Sequence, residues 1–431
     1  MARLILTTAA MRAADQAAID SGMPVEQLIE RAGAALAEAV RRFTAPRDTL
    51  ILCGPGNNGA DGRAAARHLA AAGFAVRSAT LDTLADAAPA PILIDCLFGT
   101  GLKRGLEPAV AQRLCLLAET ASVTVACDLP SGVSSDDGAL LSAVPWADLT
   151  LTFGAMKPAH RLMPAMARMG RVVVADIGLA VASEWFEIGA PTLPPPDPAG
   201  HKFSRGLVHC LAGQMPGAIA LAARAAAASG AGYVRVSTSR AIDGLPSAIV
   251  QTDTAIVNDP RVGAILVGPG LGDIPQVLTL ALTAPRPVVI DADAIGHVGE
   301  PERLVGHDAI LTPHEGEFVK LFGELGGSKA ERALAAAKRS QSVIVYKGAD
   351  TLVAAPDGRL GFAPPAPAWL ASAGTGDVLA GMIAALRARG MPSFDAACAA
   401  VWLHGRAAEL AGPAMIADDL VAAIPRAIAD L

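Results

Sequence analysis

The sequence is poor in charged and aromatic residues and lacks any long uninterrupted apolar run. Of its 431 residues, 18% are charged and 4% are aromatic, yet mean hydropathy is high at +0.41. A helix that spans a bilayer needs about 20 consecutive apolar residues. Gly, Pro, Arg or Asp interrupts every candidate here. We therefore expect no membrane span, and a soluble protein whose apolar residues fill a core.

Charge excess and paired cysteines are also missing. The balance of 35 basic and 41 acidic residues gives a net charge of −6, which predicts no nucleic-acid or membrane-surface partner. The six cysteines form no CxxC pair, so neither a zinc site nor a disulfide framework is expected. The start of the chain lacks a small-residue cleavage site, so no signal peptide is expected. These features predict reduced thiols in a cytoplasmic protein.

Short apolar runs alternate with alanine-rich helical runs, which predicts two α/β domains with largely parallel sheets. The proline-rich stretch 191–200 can join neither helix nor sheet and predicts a linker between domains at 1–190 and 201–431. Helices are expected over 25–43, 62–72, 218–229 and 377–389. Strands are expected at 49–53, 75–78, 91–95, 123–128, 149–153, 172–176, 207–211, 233–237, 264–267, 287–291, 309–311 and 343–346.

A glycine-rich segment follows the first of these strands. It contains GxGxxG at Gly54, Gly56 and Gly59 and opens a helix, an arrangement that can hold a phosphate on free backbone N–H groups. Alone this motif is weak, since a tight packing turn explains it equally well. Asn57, Asn58 and Asp61 in the same segment exceed what a turn requires and favour a binding site.

Two further strand ends in the first half carry polar residues. Asp95 precedes the glycine-rich loop 99–105, and Asp128 precedes Ser131. Because ligands bind outside the carboxyl ends of parallel strands, these residues, Asn58 and Asp61 are expected to line one crevice. Aspartate and serine oxygens suit a hard cation or a polar sugar. Each aspartate alone is explained as well by helix capping or loop anchoring.

The segment Gly374–Asp377 is the most informative feature of the second half. Gly374 and Gly376 expose N–H groups where a helix is predicted to begin, which suits a phosphate. Asp377 is placed to take a proton from a hydroxyl that attacks phosphorus, although capping the helix is the alternative. Lys347 and Thr351 are available for nucleotide phosphates.

The histidines predict less. His314 lacks HExxH spacing, so it is expected to contact a substrate or to be structural rather than to bind zinc. His404 is expected to be a core histidine, and His68 and His209 are given no role.

Eleven motifs in one order resemble the bifunctional NAD(P)H-hydrate repair enzymes, which join an epimerase domain to an ADP-dependent dehydratase domain. The motifs of the first half lie at 28–33, 53–61, 95–101, 128–132 and 152–158. Those of the second lie at 215–218, 267–272, 291–294, 311–318, 347–351 and 373–381. The resemblance implies a Rossmann-like doubly wound first domain and a ribokinase-like second domain, in a cytoplasmic homo-oligomer.

For the first domain, the resemblance implies epimerisation of the R and S hydrates of NADH and NADPH, with K⁺ as cofactor. Asp128 is the acid/base candidate, with Asp61 second. The implied potassium ligands are Asn58, Asp95 and Ser131. The implied hydrate-binding residues are Asn57, Asn58, Gly59, Ala60, Asp61, Gly99, Thr100, Gly101, Leu102, Lys103, Arg104, Gly105 and Asp128.

For the second domain, the resemblance implies dehydration of the S hydrate with ADP and Mg²⁺, which releases AMP and phosphate. Phosphorylation turns the hydroxyl into a good leaving group, and Asp377 is the implied base. The implied hydrate-binding residues are Ala218, Gly272, His314 and Asp377. The implied nucleotide-binding residues are Lys347, Gly348, Ala349, Asp350, Thr351 and Gly376.

The chain departs from the family pattern twice. Ala60 stands where the usual NNGGD has glycine, which would cost free energy if that position needed a positive φ. Residues 367–371 read PAWLA where NPGMA is usual, so a polar asparagine is missing near the phosphates.

Three alternatives remain at this point. The second domain could be a vitamin-precursor kinase beside a nucleotide-sensing first domain, since fold alone does not fix function. The first domain could bind without catalysis. A plain NAD dehydrogenase would explain GxGxxG but neither the GTGD motif at 374–377 nor the KGADT motif at 347–351.

Overall fold

The structure is a computed structural model that describes residues 3–195 and 197–431. Contacts divide these residues into two compact units, Arg3–Phe186 and Glu187–Leu431. Met1 and Ala2 of the predicted first domain and Pro196 of the predicted linker lie outside the described residues. The division falls shortly before the proline-rich stretch, and the domain bounds at 1–190 and 201–431 stay a prediction.

The first unit contains one six-stranded sheet whose pairings are all parallel. Its helices are α1 (Thr8–Asp20), α2 (Val25–Phe43), α3 (Asn57–Ala71) and α4 (Pro108–Thr120). Its strands are β1 (Asp48–Cys53), β2 (Ala75–Ala79), β3 (Ile92–Cys96), β4 (Val123–Cys127), β5 (Leu149–Phe153) and β6 (Arg171–Ala175), in the order β2-β1-β3-β4-β5-β6.

Both faces of this sheet are covered. Ile51 of β1 packs in one apolar cluster with Leu36 of α2, whereas its neighbour Leu50 packs in another with Leu114 of α4. Strands that are buried on both faces are apolar throughout rather than alternating, which is why they raise the mean hydropathy. The doubly wound sheet is confirmed. Because the strand order reverses beside β1, the segments after β1 and β3 diverge and open a crevice there.

The second sheet has ten strands, nine of which lie wholly in the second unit, with the order β10-β9-β8-β11-β12-β13-β14-β15-β16-β7. The pairings from β10 to β14 are parallel, and those of β15 are antiparallel. The strands are β7 (Trp185–Glu187), β8 (Leu207–Leu211), β9 (Tyr233–Ser237), β10 (Ile249–Thr252), β11 (Val262–Val267), β12 (Val288–Ile290), β13 (Ala309–Leu311), β14 (Val343–Tyr346), β15 (Leu352–Ala354) and β16 (Leu360–Phe362).

Alanine-rich helices pack against this sheet. Ala222 of α5 and Ala384 of α10 are fully buried, and side chains this small let the helix backbones approach closely. The helices are α5 (Pro216–Ala228), α6 (Pro275–Thr283), α7 (Asp293–His297), α8 (Glu315–Phe322), α9 (Lys329–Ser340), α10 (Thr375–Ala388), α11 (Ser393–Ala411) and α12 (Ala417–Ala429).

Three observations bear directly on the sequence predictions. Helix α3 begins at Asn57, not at the predicted residue 62, so residues 57–61 are helical rather than part of a loop. All six cysteines are free thiols. Within residues 3–195 and 197–431, no helix is both long and apolar enough to cross a membrane.

Candidate active sites

The glycine segment after β1 packs against its own helix. A Cβ on Gly59 would lie 1.9 Å from the carbonyl oxygen of Gly54, so only glycine allows this contact. Gly59 is therefore explained by a tight packing turn, one of the two explanations that the sequence offered for the GxGxxG motif. Ala60 is an ordinary helical residue here, so its replacement of glycine costs nothing through a positive φ. The turn aims the first residues of α3 toward the ends of β3 and β4.

Asp128, directly after β4, has a carboxylate whose acceptor positions are filled. Its Oδ1 accepts hydrogen bonds from Lys157 Nζ at 2.7 Å and Thr152 Oγ1 at 2.9 Å. Its Oδ2 accepts from the backbone N–H of Thr100 at 2.9 Å and from the Thr100 hydroxyl. Burial alone would raise the pKa of Asp128, but Lys157 and Thr100 outweigh it and hold that pKa well below its usual range. These contacts therefore hold the Asp128 carboxylate in its ionised form.

The backbone of Asp128 is also constrained. Its φ is +67°, a left-handed value that is uncommon for a residue other than glycine. His160 Nε2 lies 2.9 Å from its carbonyl oxygen. Strained backbone of this kind is concentrated at functional sites, so the geometry marks Asp128 as part of one.

Asp61 on α3 has the opposite environment. It is 8% exposed, and no residue in 3–195 or 197–431 hydrogen-bonds its carboxyl group. Burial and the nearby carboxylates of Asp128 and Asp15 raise its pKa to about 8. Two aspartates of one crevice are thus held in different protonation states, as in sites that carry out acid–base chemistry.

Asp95 at the end of β3 is 1% exposed. Its carboxylate accepts hydrogen bonds from Ser131 Oγ at 2.7 Å, Ser131 N at 2.8 Å and Leu97 N at 3.1 Å. Burial raises its pKa against these hydrogen bonds, and no lysine or arginine of the described chain pairs with it. A buried carboxylate without a cation partner suits a bound cation.

The loop 99–105 completes this crevice on one side. A Cβ on Gly99 would lie 2.8 Å from Asp128 Oδ2 and 3.2 Å from Asn58 Oδ1, so these side chains meet at the loop. The side-chain nitrogen of Asn58 is buried without a partner among the described residues. Asn57, Lys103 and Arg104 are exposed at the rim.

The second site lies at the start of α10. Gly374 precedes the helix with φ +84° and offers no side-chain cap. Asp377 makes no side-chain hydrogen bond with any described residue, so the capping alternative finds no support. Burial and the nearby Asp291 raise the pKa of Asp377 to about 7, against the opposing charge of Lys347. The group is poised to exchange a proton near neutral pH.

Lys347, directly after β14, faces this helix start. A Cβ on Gly376 would lie 3.3 Å from Lys347 Nζ. Asp291 Oδ1 accepts hydrogen bonds from Lys347 Nζ at 2.9 Å and Thr312 Oγ1 at 2.6 Å. The ammonium is thereby held beside the free N–H groups of α10, where it could meet a phosphate.

The other predicted residues of the second site surround the same strand ends. A Cβ on Gly270 would lie 3.0 Å from Ala218 Cβ, and Asp293 Oδ2 accepts from Gly272 N at 2.8 Å. His314 is exposed and forms a capping box with Glu317 at the start of α8. In the 347–351 segment, Thr351 Oγ1 accepts from Gly348 N and closes a tight turn.

Two more predictions concern the surroundings of this site. His404 on α11 lies 2.9 Å from the carbonyl oxygen of Thr375, and burial lowers its pKa to about 4, so it is a neutral structural residue beside the site. In residues 367–371, which differ from the family pattern, Trp369 Nε1 donates to the carbonyl oxygen of Ala408. The indole anchors this segment to α11.

Sequence reasoning missed the partners of the aspartates. Lys157 and Asp15 in the first site and Asp291 and Thr312 in the second were not predicted to have a role. Lys157 did lie in a motif of the resemblance, and a lysine inside an apolar stretch is a signal, since lysine is almost never fully buried without a partner. Asp15 lies on α1, where its exposed neighbours give no signal.

The comparisons with known proteins agree for both units. A family model described as NAD(P)H-hydrate dehydratase matches residues 208–426, and one described as YjeF-related protein N-terminus matches 25–87 and 78–159. The bifunctional NAD(P)H-hydrate repair enzyme Nnr of Salinibacter ruber is 33% identical and covers 99% of this chain and 96% of its own length. The chain belongs to the bifunctional NAD(P)H-hydrate repair enzyme family.

Two further matches support this membership. The Nnr enzyme of Mycobacterium tuberculosis is 35% identical over 89% of each chain. A solved ribokinase-like superfamily protein of Enterococcus faecalis matches with a TM-score of 0.52 and 22% identity, covering 58% of this chain and 98% of its own; this likeness shows the fold. The predicted family, the two-domain fold and an enzyme with an epimerase and a dehydratase domain are confirmed.

Proposed function

We propose that the chain repairs hydrated NAD(P)H in two steps. The first unit interconverts the R and S hydrates. The second dehydrates the S hydrate with ADP and releases AMP and phosphate. The observation that carries the proposal is the Asp377 carboxyl at the start of α10, which no described residue hydrogen-bonds and which lies near Lys347. A cytoplasmic location, a homo-oligomeric state and the absence of a nucleic-acid or membrane partner stay predictions.

In the dehydratase site, Asp377 takes the proton of the hydrate's hydroxyl group. The hydroxyl oxygen then bonds to the terminal phosphorus of ADP, and the bond from that phosphorus to the AMP oxygen breaks. In the second step the bond breaks between the phosphorylated oxygen and C6, the nicotinamide ring carbon that carried the hydroxyl, and phosphate leaves with the electron pair. Loss of a proton from the adjacent carbon C5 restores the ring double bond. The N–H groups at the start of α10 bind the transferred phosphate, and Lys347 balances its charge.

A magnesium ion is proposed to enter this site with the nucleotide. Asp293 and Glu317 both lie near enough to Asp377 to raise its pKa, and carboxylate oxygens are ligands that Mg²⁺ prefers. Asp293 and Glu317 would each supply a carboxylate oxygen to the ion. When bound, Mg²⁺ neutralises charge on the phosphates, while the protein groups bind and orient the hydrate.

In the epimerase site, the hydrate is proposed to bind between the start of α3, the loop 99–105 and Asp128. The oxygens of Asn58, Asp95 and Ser131 would hold K⁺, and the buried Asp95 carboxylate, which pairs with no lysine or arginine in residues 3–195 and 197–431, fits such an ion. The bound ion would supply positive charge beneath the crevice. Proton transfer then falls to the two aspartates of the crevice, Asp61 and Asp128.

The test uses the whole chain with an equal mixture of the R and S hydrates of NADH. In the presence of ADP, Mg²⁺ and K⁺, we expect full conversion to NADH, measured by its absorbance. Conversion that stops near half would show that only the dehydratase works. Stable phosphorylation of a vitamin-type alcohol with no reaction of the hydrate would contradict the proposal and favour a kinase. Omitting ADP is the control for spontaneous dehydration.

The Asp291–Lys347 ion pair gives a prediction for nucleotide binding. Asp291→Asn removes the anion that holds Lys347, and a hydrogen bond to a charged group contributes about 1.5–3 kcal/mol. We expect the KM for ADP to rise about 10- to 100-fold. Asp357→Asn, at an exposed residue paired with Arg359, is the matched control. An unchanged KM for ADP in Asp291→Asn would show that Lys347 needs no anchor.

A further inference from the structure

The two aspartates of the epimerase crevice differ in what their oxygens can still accept. Each oxygen of Asp128 already accepts two hydrogen bonds, from Lys157 and Thr152 on one side and from Thr100 on the other. A carboxylate oxygen has about two lone-pair positions. A substrate proton would therefore have to displace a donor before it could bind to Asp128.

Lys157 is held beside Asp128 and keeps that carboxylate ionised. Its side chain is 2% exposed, and Nζ also donates to Thr152 Oγ1 at 2.7 Å and to the carbonyl oxygen of Phe153 at 3.3 Å. The ammonium thus has three acceptors and cannot swing away. A proton placed on Asp128 would leave this buried cation without its counter-charge, which is costly.

Asp61 lacks every one of these constraints. None of the described residues donates to its carboxyl group, which lies in the first turns of α3, near enough to Asp128 for that carboxylate to raise its pKa. It sits among the residues that the family resemblance gives to hydrate binding. Its oxygens are therefore free to exchange a proton with a bound hydrate.

We propose that Asp61 is the catalytic acid–base residue of epimerisation, and that Lys157 is a positioning residue that keeps Asp128 a fixed anion and anchors the loop at Thr100. This inference rests on the proposed epimerase function. It assigns the proton transfer to Asp61, the second candidate of the sequence, instead of Asp128.

The proposed step begins with protonated Asp61. Asp61 donates its proton to the C6 hydroxyl, the C6–O bond breaks, and the electron pair leaves with the water formed. The lone pair of the ring nitrogen N1 forms a C6=N1 iminium bond. A water molecule then adds to the opposite face of C6, the iminium electrons return to N1, and the proton lost by the water returns to Asp61. Asp128 stays ionised throughout.

The charged groups around Asp61 set the pH dependence. Asp128 follows β4, Asp15 lies on α1, and Arg63 lies on α3 itself, while the Cys96 and Cys127 thiols lie in the adjoining strands. Lys157 stands behind Asp128. Because burial and the two carboxylates favour the protonated form, activity should be present below about pH 8 and fall as the pH rises through it.

Asp61→Asn is the first test, assayed on the full chain as R-to-S interconversion at pH 7 after subtraction of the uncatalysed rate. Loss of a general acid costs about 10²- to 10⁴-fold in kcat, and we expect a loss in this range. Asp61→Glu should restore part of the rate. Asp82→Asn, at an exposed residue of the same unit, should match wild type. An Asp61→Asn variant that keeps a third of the wild-type kcat would overturn the proposal.

The second test removes the ion pair as a unit. The Asp128→Asn/Lys157→Met variant loses a residue that contacts the hydrate, so its KM for the hydrate should rise, but its kcat should fall less than that of Asp61→Asn. Its alkaline limb should move to lower pH because the anion beside Asp61 is gone. A loss of kcat beyond 10³-fold, with a wild-type circular dichroism spectrum showing that the first unit is folded, would return the role to Asp128. In H₂¹⁸O, epimerisation should place ¹⁸O at C6, and no incorporation would overturn the water-loss step.

The wild-type activity distinguishes failure of the proposed epimerase function from failure of the Asp61 assignment. If wild type does not interconvert the hydrates at all, the proposed epimerase function itself fails. If wild type interconverts them and Asp61→Asn does so equally well, only the assignment of Asp61 fails.

Discussion

Asp377→Asn is expected to lower the rate of S-hydrate dehydration by about 10²- to 10⁴-fold, the usual contribution of a general base. The asparagine has nearly the same shape but cannot take the hydroxyl proton. Single-turnover conversion of S-hydrate to NADH with saturating ADP measures the effect. Epimerisation by the same variant should be unchanged, because Asp377 belongs to the second unit. A rate within tenfold of wild type would show that Asp377 only shapes the start of α10.

The pH profile of wild type provides an independent measurement of the same role. Burial and Asp291 raise the pKa of Asp377 to about 7, and only the ionised form can act as a base. Dehydration should therefore be slow below pH 7, rise as the pH increases through about 7, and level off above it. The epimerase activity should fall through about pH 8. Dehydration that rises with pH and epimerisation that falls with pH would distinguish the carboxyl groups of the two sites.

Two features of the second site make a capping role for Asp377 the weaker explanation. The residue before the helix, Gly374, has no side chain to take part in a capping box. The histidine–glutamate pair at the start of α8 shows what such a box looks like in this chain, with His314 and Glu317 bonding each other's backbone N–H groups. Asp377 makes no comparable bond among the described residues and remains free for chemistry.

Fold prediction succeeded where one physical signal dominated. The predicted strands at 149–153, 207–211 and 343–346 coincide with β5, β8 and β14, because buried parallel strands are continuous apolar runs bounded by polar or glycine residues. It failed at α3, where glycines and asparagines resemble a loop although they form the first helical turn. Helix α1 was missed because its apolar stripe is weak and mostly exposed.

Site prediction had a similar limit. Residues next to strand ends, such as Asp95 and Asp128, could be grouped because parallel strands end at one edge of the sheet. Their partners could not, since Lys157 is 29 residues from Asp128 and meets it only through folding. Nor could the sequence show that four donors surround Asp128 while no described residue donates to Asp61. That difference decides which aspartate can carry a proton.

Lys157→Met should be among the most destabilising single substitutions in the first unit. Methionine fills a similar volume, but it leaves Asp128 buried at 8% exposure without its counter-charge, and breaking a buried ion pair this way costs about 3–5 kcal/mol. A loss of that size should lower the Tm of this unit by about 10 °C.

Calorimetry of the whole chain gives the measurement, with the wild-type chain as the reference. The matched control is Asp128→Asn/Lys157→Met, in which no buried charge is left behind. Replacing both partners of a buried pair is often nearly neutral, so the double variant should recover most of the lost Tm. If the single and double variants unfold together, the cost would lie in lost packing around Lys157, and the fixed anion at Asp128 would not depend on this lysine.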